Sequence, residues 1–185
     1  MSNFFTRMGD DGTSGLLGDA RVSKDDPRIE AVGAIDEANA ALGLVRATSR
    51  RPETREIVIT IQRDLYKLMA EISATPDNAE KFRSIDGERV RWLERVTVSI
   101  GNEIDTPKEF IIPGDTPTGA ILDLARTIIR RAERRVSSLY LKRDLDNPEL
   151  LRYLNRLSSL CFVLELWEIQ VENDSHITLS KEEDG

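Results

Sequence analysis

Thr116-Pro117-Thr118-Gly119-Ala120-Ile121-Leu122-Asp123-Leu124-Ala125-Arg126-Thr127-Ile128-Ile129-Arg130-Arg131-Ala132-Glu133-Arg134-Arg135-Val136-Ser137-Ser138-Leu139 reads as one long amphipathic helix. Thr116 supplies a capping hydroxyl, and Pro117 suits the first helical turn. Ile121, Leu124, Ala125, Ile128, Ala132, Val136 and Leu139 recur at spacings of three and four, which predicts the buried face. Asp123, Arg126, Arg130, Glu133 and Arg134 lie off that stripe.

The same period runs outward in both directions. Asp26-Pro27 starts a helix whose apolar face is Ile35, Ala38, Leu42 and Val45. Pro52 opens a second, with Ile57, Ile61, Leu65, Leu68 and Ile72 inward, to about Ala74. A third runs from about Asp86 to Glu103 over Val90, Leu93, Val96 and Ile100. Asn147-Pro148 starts the last, with Leu150, Leu154, Leu157, Cys161 and Leu164 inward. Long amphipathic helices with short links predict an all-α, five-helix antiparallel bundle. Residues 1–25 and 104–115 read as loops, and 174–185 as a frayed acidic tail.

Composition sets the outer limits. A chain of 185 residues suits one domain, and 39% hydrophobic with 32% charged residues fits a packed globular protein. The 33 acidic residues outnumber 26 basic ones, for a net charge of -7, which argues against a duplex-DNA surface. No uncharged run approaches the roughly 20 apolar residues of a membrane span. No secretory leader is recognised, so the expected compartment is the cytoplasm. One cysteine, Cys161, excludes an internal disulfide, and one histidine, His176, argues against a His-rich metal centre or a Ser-His-Asp hydrolase.

Two segments carry candidate chemistry. Within residues 6–18, glycines 9, 12, 15 and 18 lie close together, with Thr6, Thr13 and Ser14 among them and Lys24 just beyond. Glycines let an anion approach the backbone, and successive N–H groups form a nest. The segment is either a phosphate cradle or a flexible arm; it lacks the glycine-lysine-Ser/Thr triplet of a Walker loop. On the arginine helix, Arg126, Arg130 and Arg134 form a row at spacings of four. Such a row either grips a polyphosphate through paired N–H groups or is a solvated or subunit-pairing face. Asp36 lies mid-helix, exposed or paired with an arginine such as Arg126. Asn155 either bridges helices or contacts a ligand.

Six blocks in order resemble the PduO-type ATP:cob(I)alamin adenosyltransferases: Thr6–Ser14, Arg21–Glu30, Ile35-Asp36-Glu37-Ala38-Asn39, Phe110-Ile111-Ile112-Pro113-Gly114, Ala125–Arg134 and Tyr153–Ser158. The resemblance covers nearly the whole chain. It implies one domain (1–25 an ATP loop, 26–173 the bundle, 174–185 a flexible tail) that forms a homotrimer with sites between subunits. It implies transfer of the 5′-deoxyadenosyl group of ATP to cob(I)alamin or a related corrinoid, releasing triphosphate. By similarity, Thr6, Arg7, Met8, Gly9, Ser14, Gly15 and Lys24 line ATP on one subunit. Arg130, Arg131, Glu133, Arg134 and Asn155 complete the site from its neighbour. Arg126 is expected to pair with Asp36 across that interface, and Phe110 to displace the corrinoid's lower axial base. Arg126, Arg130, Asp36 and Phe110 are thus the expected catalytic set. Mg²⁺ is expected on the ATP phosphates, helped by Glu133. A corrinoid reductase and an adenosylcobalamin-dependent enzyme are the implied protein partners, with no nucleic acid and no membrane. The alternative is a module that binds and delivers ATP or adenosylcobalamin without efficient catalysis. Three positions depart from the usual pattern: Asp115 replaces a second glycine, Asp123 a common histidine, and Ala38 a leucine.

Overall fold

The computed structural model describes residues 5, 7–172 and 177–181. Six α-helices follow a short antiparallel hairpin: β1 Thr13–Gly15, β2 Arg21–Ser23, α1 Pro27–Thr48, α2 Pro52–Ser73, α3 Ala79–Phe82, α4 Gly87–Gly101, α5 Pro117–Leu141 and α6 Glu149–Glu172. The five long helices are the five expected ones. The added α3 is a single turn that continues a 3-10 turn at Pro76–Asn78. The hairpin corrects the all-loop expectation for the N-terminal segment.

Capping sets the helix starts. The Asp26 carboxylate accepts from the Arg28 N–H at 2.8 Å, the Thr116 hydroxyl from the Gly119 N–H at 3.0 Å, and the Asn147 side chain from the Glu149 N–H at 3.0 Å. Each satisfies an N–H that the helix itself leaves unpaired.

The bundle packs α2 on α1, α1 on α5, α5 on α6 and α6 on α4. Contacts between helix ends give the directions. Arg28, at the start of α1, donates to the carbonyls of Ile72, Ala74 and Asp144, at the ends of α2 and α5. Thr118, at the start of α5, donates to Thr48, at the end of α1. Neighbours α1/α2 and α1/α5 therefore run antiparallel. The pair α4/α6 does not: Asn147, before α6, donates to the Ile85 carbonyl, before α4. The helices α4 and α6 start at one end and run parallel. Residues 102–116 must consequently cross from α4 past α6 to reach α5.

Burial follows the predicted stripes. Ile35, Leu42, Leu65, Leu93, Leu154 and Cys161 are fully enclosed. On α5, Ala125, Ile128, Ala132, Val136 and Leu139 are buried as expected, with Leu122 and Ile129 beside them, whereas Leu124 is 51% exposed and Ile121 half-buried. Its first turns differ because isoleucine and leucine stand on both flanks of the helix. A buried polar tie joins three helices. Asp64 accepts from Arg89 Nε at 2.8 Å and from the Tyr153 hydroxyl at 3.0 Å. Burial pushes the Tyr153 hydroxyl well above its ordinary range, which keeps it a donor.

Candidate active site

The hairpin is held by one side chain. Arg21 donates to the Thr13 hydroxyl through Nε at 2.9 Å and to the Met8 carbonyl through Nη2 at 2.5 Å. Thr13 in turn donates from its N–H and its hydroxyl to Asp11, at 2.9 and 2.7 Å. These bonds hold the Asp11 carboxyl below its usual range, the Thr13 hydroxyl first. Thr13 is thus committed to the loop's architecture rather than to a ligand. Ser14 and Gly15 lie on β1, paired with Val22 and Arg21. Lys24 donates its N–H to the Gly12 carbonyl at 2.9 Å and lays its side chain over Gly9. A Cβ on Gly9 would stand 3.4 Å from Lys24 Nζ and 3.3 Å from the Thr13 carbonyl, so glycine keeps the cation close to bare backbone. Arg7 and Met8 are exposed at the loop's start, Arg7 with φ 59°. Thr6 lies outside the described residues.

The loop is anchored at the end of α2. Leu17 donates to the Ser73 carbonyl at 2.8 Å and accepts from the Thr75 N–H at 3.2 Å. Gly18, at φ 148°, permits this seat, because a Cβ there would fall 2.4 Å from the Thr75 hydroxyl.

The second feature is a cleft of about 650 Å³. Pro107, Phe110, Ile111 and Pro113 of the crossing loop form one wall, and Phe162 and Val163 of α6 another. Asp123, Arg126, Arg130, Ser158 and Ser159 supply its polar surface. Phe110 is 86% exposed, an aromatic ring offered to whatever enters. Three of the four expected catalytic residues, Phe110, Arg126 and Arg130, therefore share one cavity. Asp36 is exposed on α1, outside it. Within the chain Arg126 pairs instead with Asp123, through Nε at 2.8 Å and Nη2 at 2.7 Å. None of the described residues of the glycine loop lines the cleft.

The arginines of α5 divide sharply. Arg131 pairs with Glu37 and Arg135 with Glu30 of α1, so these two fasten α5 to α1. Arg130 and Arg134 are exposed, and neither has an acidic partner among the described residues. Glu133 is half-buried and accepts from Asn155 Nδ2 at 2.9 Å, which joins two expected ligand residues across α5 and α6.

One group here escapes sequence reading. Glu165 of α6 is completely buried, and neither carboxyl oxygen has a hydrogen-bond partner. Burial, and then the charge of Asp123, push its carboxyl from an ordinary 4.5 up to about 8, against the pull of Arg126. The folded chain thus keeps a proton that the unfolded chain releases above pH about 4.5. Stability from this group is complete below that pH and falls as pH rises to about 8. Glu165→Gln should flatten the decline, a difference on the order of 3–5 kcal/mol at the alkaline end. Thermal unfolding of both proteins from pH 5 to 8.5 checks this; parallel curves would refute it. Cys161 is no candidate nucleophile, since burial pushes its thiol up to about 12.

Fold and cavity together define a helical-bundle protein with a glycine-rich N-terminal hairpin and an aromatic-walled cleft lined by Arg126, paired with Asp123, and by the exposed Arg130. The model of the family described as cobalamin adenosyltransferase matches residues 4–168, and the chain belongs to that family. It is 36% identical over 173 residues to the corrinoid adenosyltransferase PduO of Citrobacter freundii, covering 93% of this chain and 50% of that protein. To the corrinoid adenosyltransferase of Bacillus subtilis it is 37% identical over 162 residues, covering 85% of this chain and 82% of the relative. The chain spans about half the length of the Citrobacter and Salmonella typhimurium PduO proteins it matches. Among solved structures it is similar to a variant of the PduO-type ATP:corrinoid adenosyltransferase from Lactobacillus reuteri complexed with cobalamin and ATP. That match has a TM-score of 0.86 at 28% identity and covers 97% of each chain. Among the described residues, no helix is long and apolar enough to cross a membrane.

Proposed function

We propose that the protein transfers the 5′-deoxyadenosyl group of ATP to the Co(I) of a corrinoid. The observation that carries this reading is the division of the arginines. Arg130 and Arg134 keep exposed, unneutralised guanidiniums on the helix that walls the Phe110 cleft, while Arg131 and Arg135 are neutralised by α1. A free row beside an apolar pocket suits a substrate pair made of a polyanion and a large flat macrocycle.

The chemistry requires no protein nucleophile. Co(I) supplies the electron pair that forms the Co–C bond at C5′, and the C5′–O bond breaks with its pair leaving on triphosphate. Arg130, Arg134 and Lys24 stabilise that growing charge, and the glycine-loop backbone at Gly9, Ser14 and Gly15, with Arg7 and Met8, holds the nucleotide in line. Asn155 fixes Glu133 beside the row. Magnesium bound to the triphosphate would neutralise part of the leaving charge. Its ligands would be mainly the phosphate oxygens, with Glu133 contributing. Phe110, exposed in the cleft, excludes the lower base from the cobalt on this reading.

The site completes between subunits of a homotrimer. The glycine loop is seated where α2 ends, and its described residues line no part of the cleft of their own chain. On this reading a neighbour's loop brings Lys24 to the arginines. In that assembly Arg126 exchanges Asp123 for Asp36 of the adjoining subunit. An enzyme supplying reduced corrinoid and one consuming the product are the matching partners.

Protein, MgATP and chemically reduced cob(I)alamin are mixed and the visible spectrum is followed. Conversion to the adenosylcobalamin spectrum, with triphosphate released in equal amount, is the expected result. ATP binding without product would leave a delivery module.

A further inference from the structure

Beyond α6, residues 177–181 come back to the loop that forms one wall of the cleft. Residues 177–181 lie antiparallel to the loop that carries Phe110, with Ile111 opposite Leu179. The Ser180 N–H donates to the Phe110 carbonyl at 2.7 Å, and the Ile112 N–H donates to the Thr178 carbonyl at 2.8 Å. Asp115 fastens the far end. Its Oδ2 accepts from the Thr178 N–H at 2.8 Å and its Oδ1 from the Thr178 hydroxyl at 2.7 Å. Lys181 Nζ lies 3.2 Å from Glu109 Oε2 at the other end. Beneath them Ile177 and Ile111 both pack on the core. This part of the tail, expected to be frayed, is docked.

These contacts bear on one side chain. With 86% of its surface exposed, the Phe110 ring gains almost nothing from packing that could fix its place. The loop from 102 to 116 crosses from α4 past α6 to α5, and it has no helix or strand ladder of its own beyond this pairing. What locates the ring is the backbone beneath it, and the tail bonds that backbone at Phe110 and at Ile112, on both sides of Ile111. A carboxylate accepting two bonds from a single residue is a firm and directional clasp.

We propose that residues 177–181 act as a strap that sets Phe110 over the corrinoid, with Asp115 and Thr178 as its positioning residues. The inference rests on the function proposed above. It adds that lower-base exclusion depends on the tail: a ring held at one height keeps the base's nitrogen from rebinding cobalt, and a ring on a loose loop does not.

Full-length Asp115→Ala, Thr178→Val and Thr178→Ser proteins test this in two ways. Amide hydrogen exchange in the unliganded proteins reads the strap itself. Asp115→Ala and Thr178→Val should speed exchange at Ile112 and Ser180, the two amides bonded across the strap, by about tenfold or more, leave the enclosed amides of α5 and α6 unchanged, and Thr178→Ser should match the parent. Adenosylation with a reductant then reads the purpose. With cob(II)alamin, kcat/KM should fall about tenfold in the first two variants; with cob(II)inamide, which has no lower base, it should change less than about twofold. Unchanged loop exchange, or equal losses with the two corrinoids, would overturn the proposal. If the parent protein adenosylates neither corrinoid, the proposed function fails, and the exchange result alone decides whether the strap exists.

Discussion

Arg130→Ala is expected to abolish measurable adenosyl transfer while leaving the melting temperature within about 2 °C of the parent. Arg130 is exposed, off the buried stripe of α5, and without an acidic partner among the described residues, so the folded state loses little when it is cut back. The transition state loses much more. On the proposed function triphosphate departs with a full electron pair, and the Arg130 guanidinium would meet charge that grows only as the C5′–O bond breaks. Removing one such donor costs about 10²–10³ in kcat. The neighbouring Arg131 provides the contrast. Its guanidinium is engaged with Glu37, so Arg131→Ala should weaken the α1–α5 contact by no more than about 1 kcal/mol and spare more activity. Kinetics and thermal unfolding on the two variants separate these roles. A large fall in melting temperature for Arg130→Ala would make it a structural arginine.

The second large effect concerns Phe110. Phe110→Ala should lower turnover of cob(II)alamin plus reductant by about 10² or more, yet reduce turnover of pre-formed cob(I)alamin by less than about tenfold. The asymmetry follows from the chemistry. A lower base donates density to cobalt(II) and makes its reduction harder, and an apolar ring in the base's position removes that donation. Once Co(I) exists, the ring retains only a packing role. The side chain is exposed, so folding should be indifferent to its removal. Parallel assays from the two oxidation states give the result. Equal losses would assign Phe110 to general corrinoid binding.

Much of this was legible before any coordinates, for physical reasons. Apolar residues at three and four spacing specify a helical face wherever one flank is clearly polar, as in α1 and α6, where Leu42, Val45, Leu154 and Leu157 are all enclosed. On α5 the pattern is ambiguous, because Leu122 and Leu124 both look apolar and only neighbouring helices choose between them. The arginine row was marked by its spacing and Phe110 by the family resemblance, and one cleft gathers Arg126, Arg130 and Phe110. The hairpin was hidden, since two three-residue strands carry almost no periodic signal and depend on Arg21 reaching Thr13 and Met8. Burial of Glu165 could not be read locally; a glutamate amid Leu164 and Leu166 looks like any polar helix position. The clasp between Asp115 and Thr178 joins residues far apart in sequence, and no local rule connects them.

The central claim is that a triphosphate is held between Lys24 of one subunit and Arg130 of the next. Mixing two inactive variants, Lys24→Ala and Arg130→Ala, tests it directly. After subunits of a trimer are exchanged at equal ratio, about one interface in four carries both native residues, so about a quarter of the parent's activity should return. Activity that stays at the level of the separate variants, with exchange verified, would show both residues acting within one chain and contradict the account.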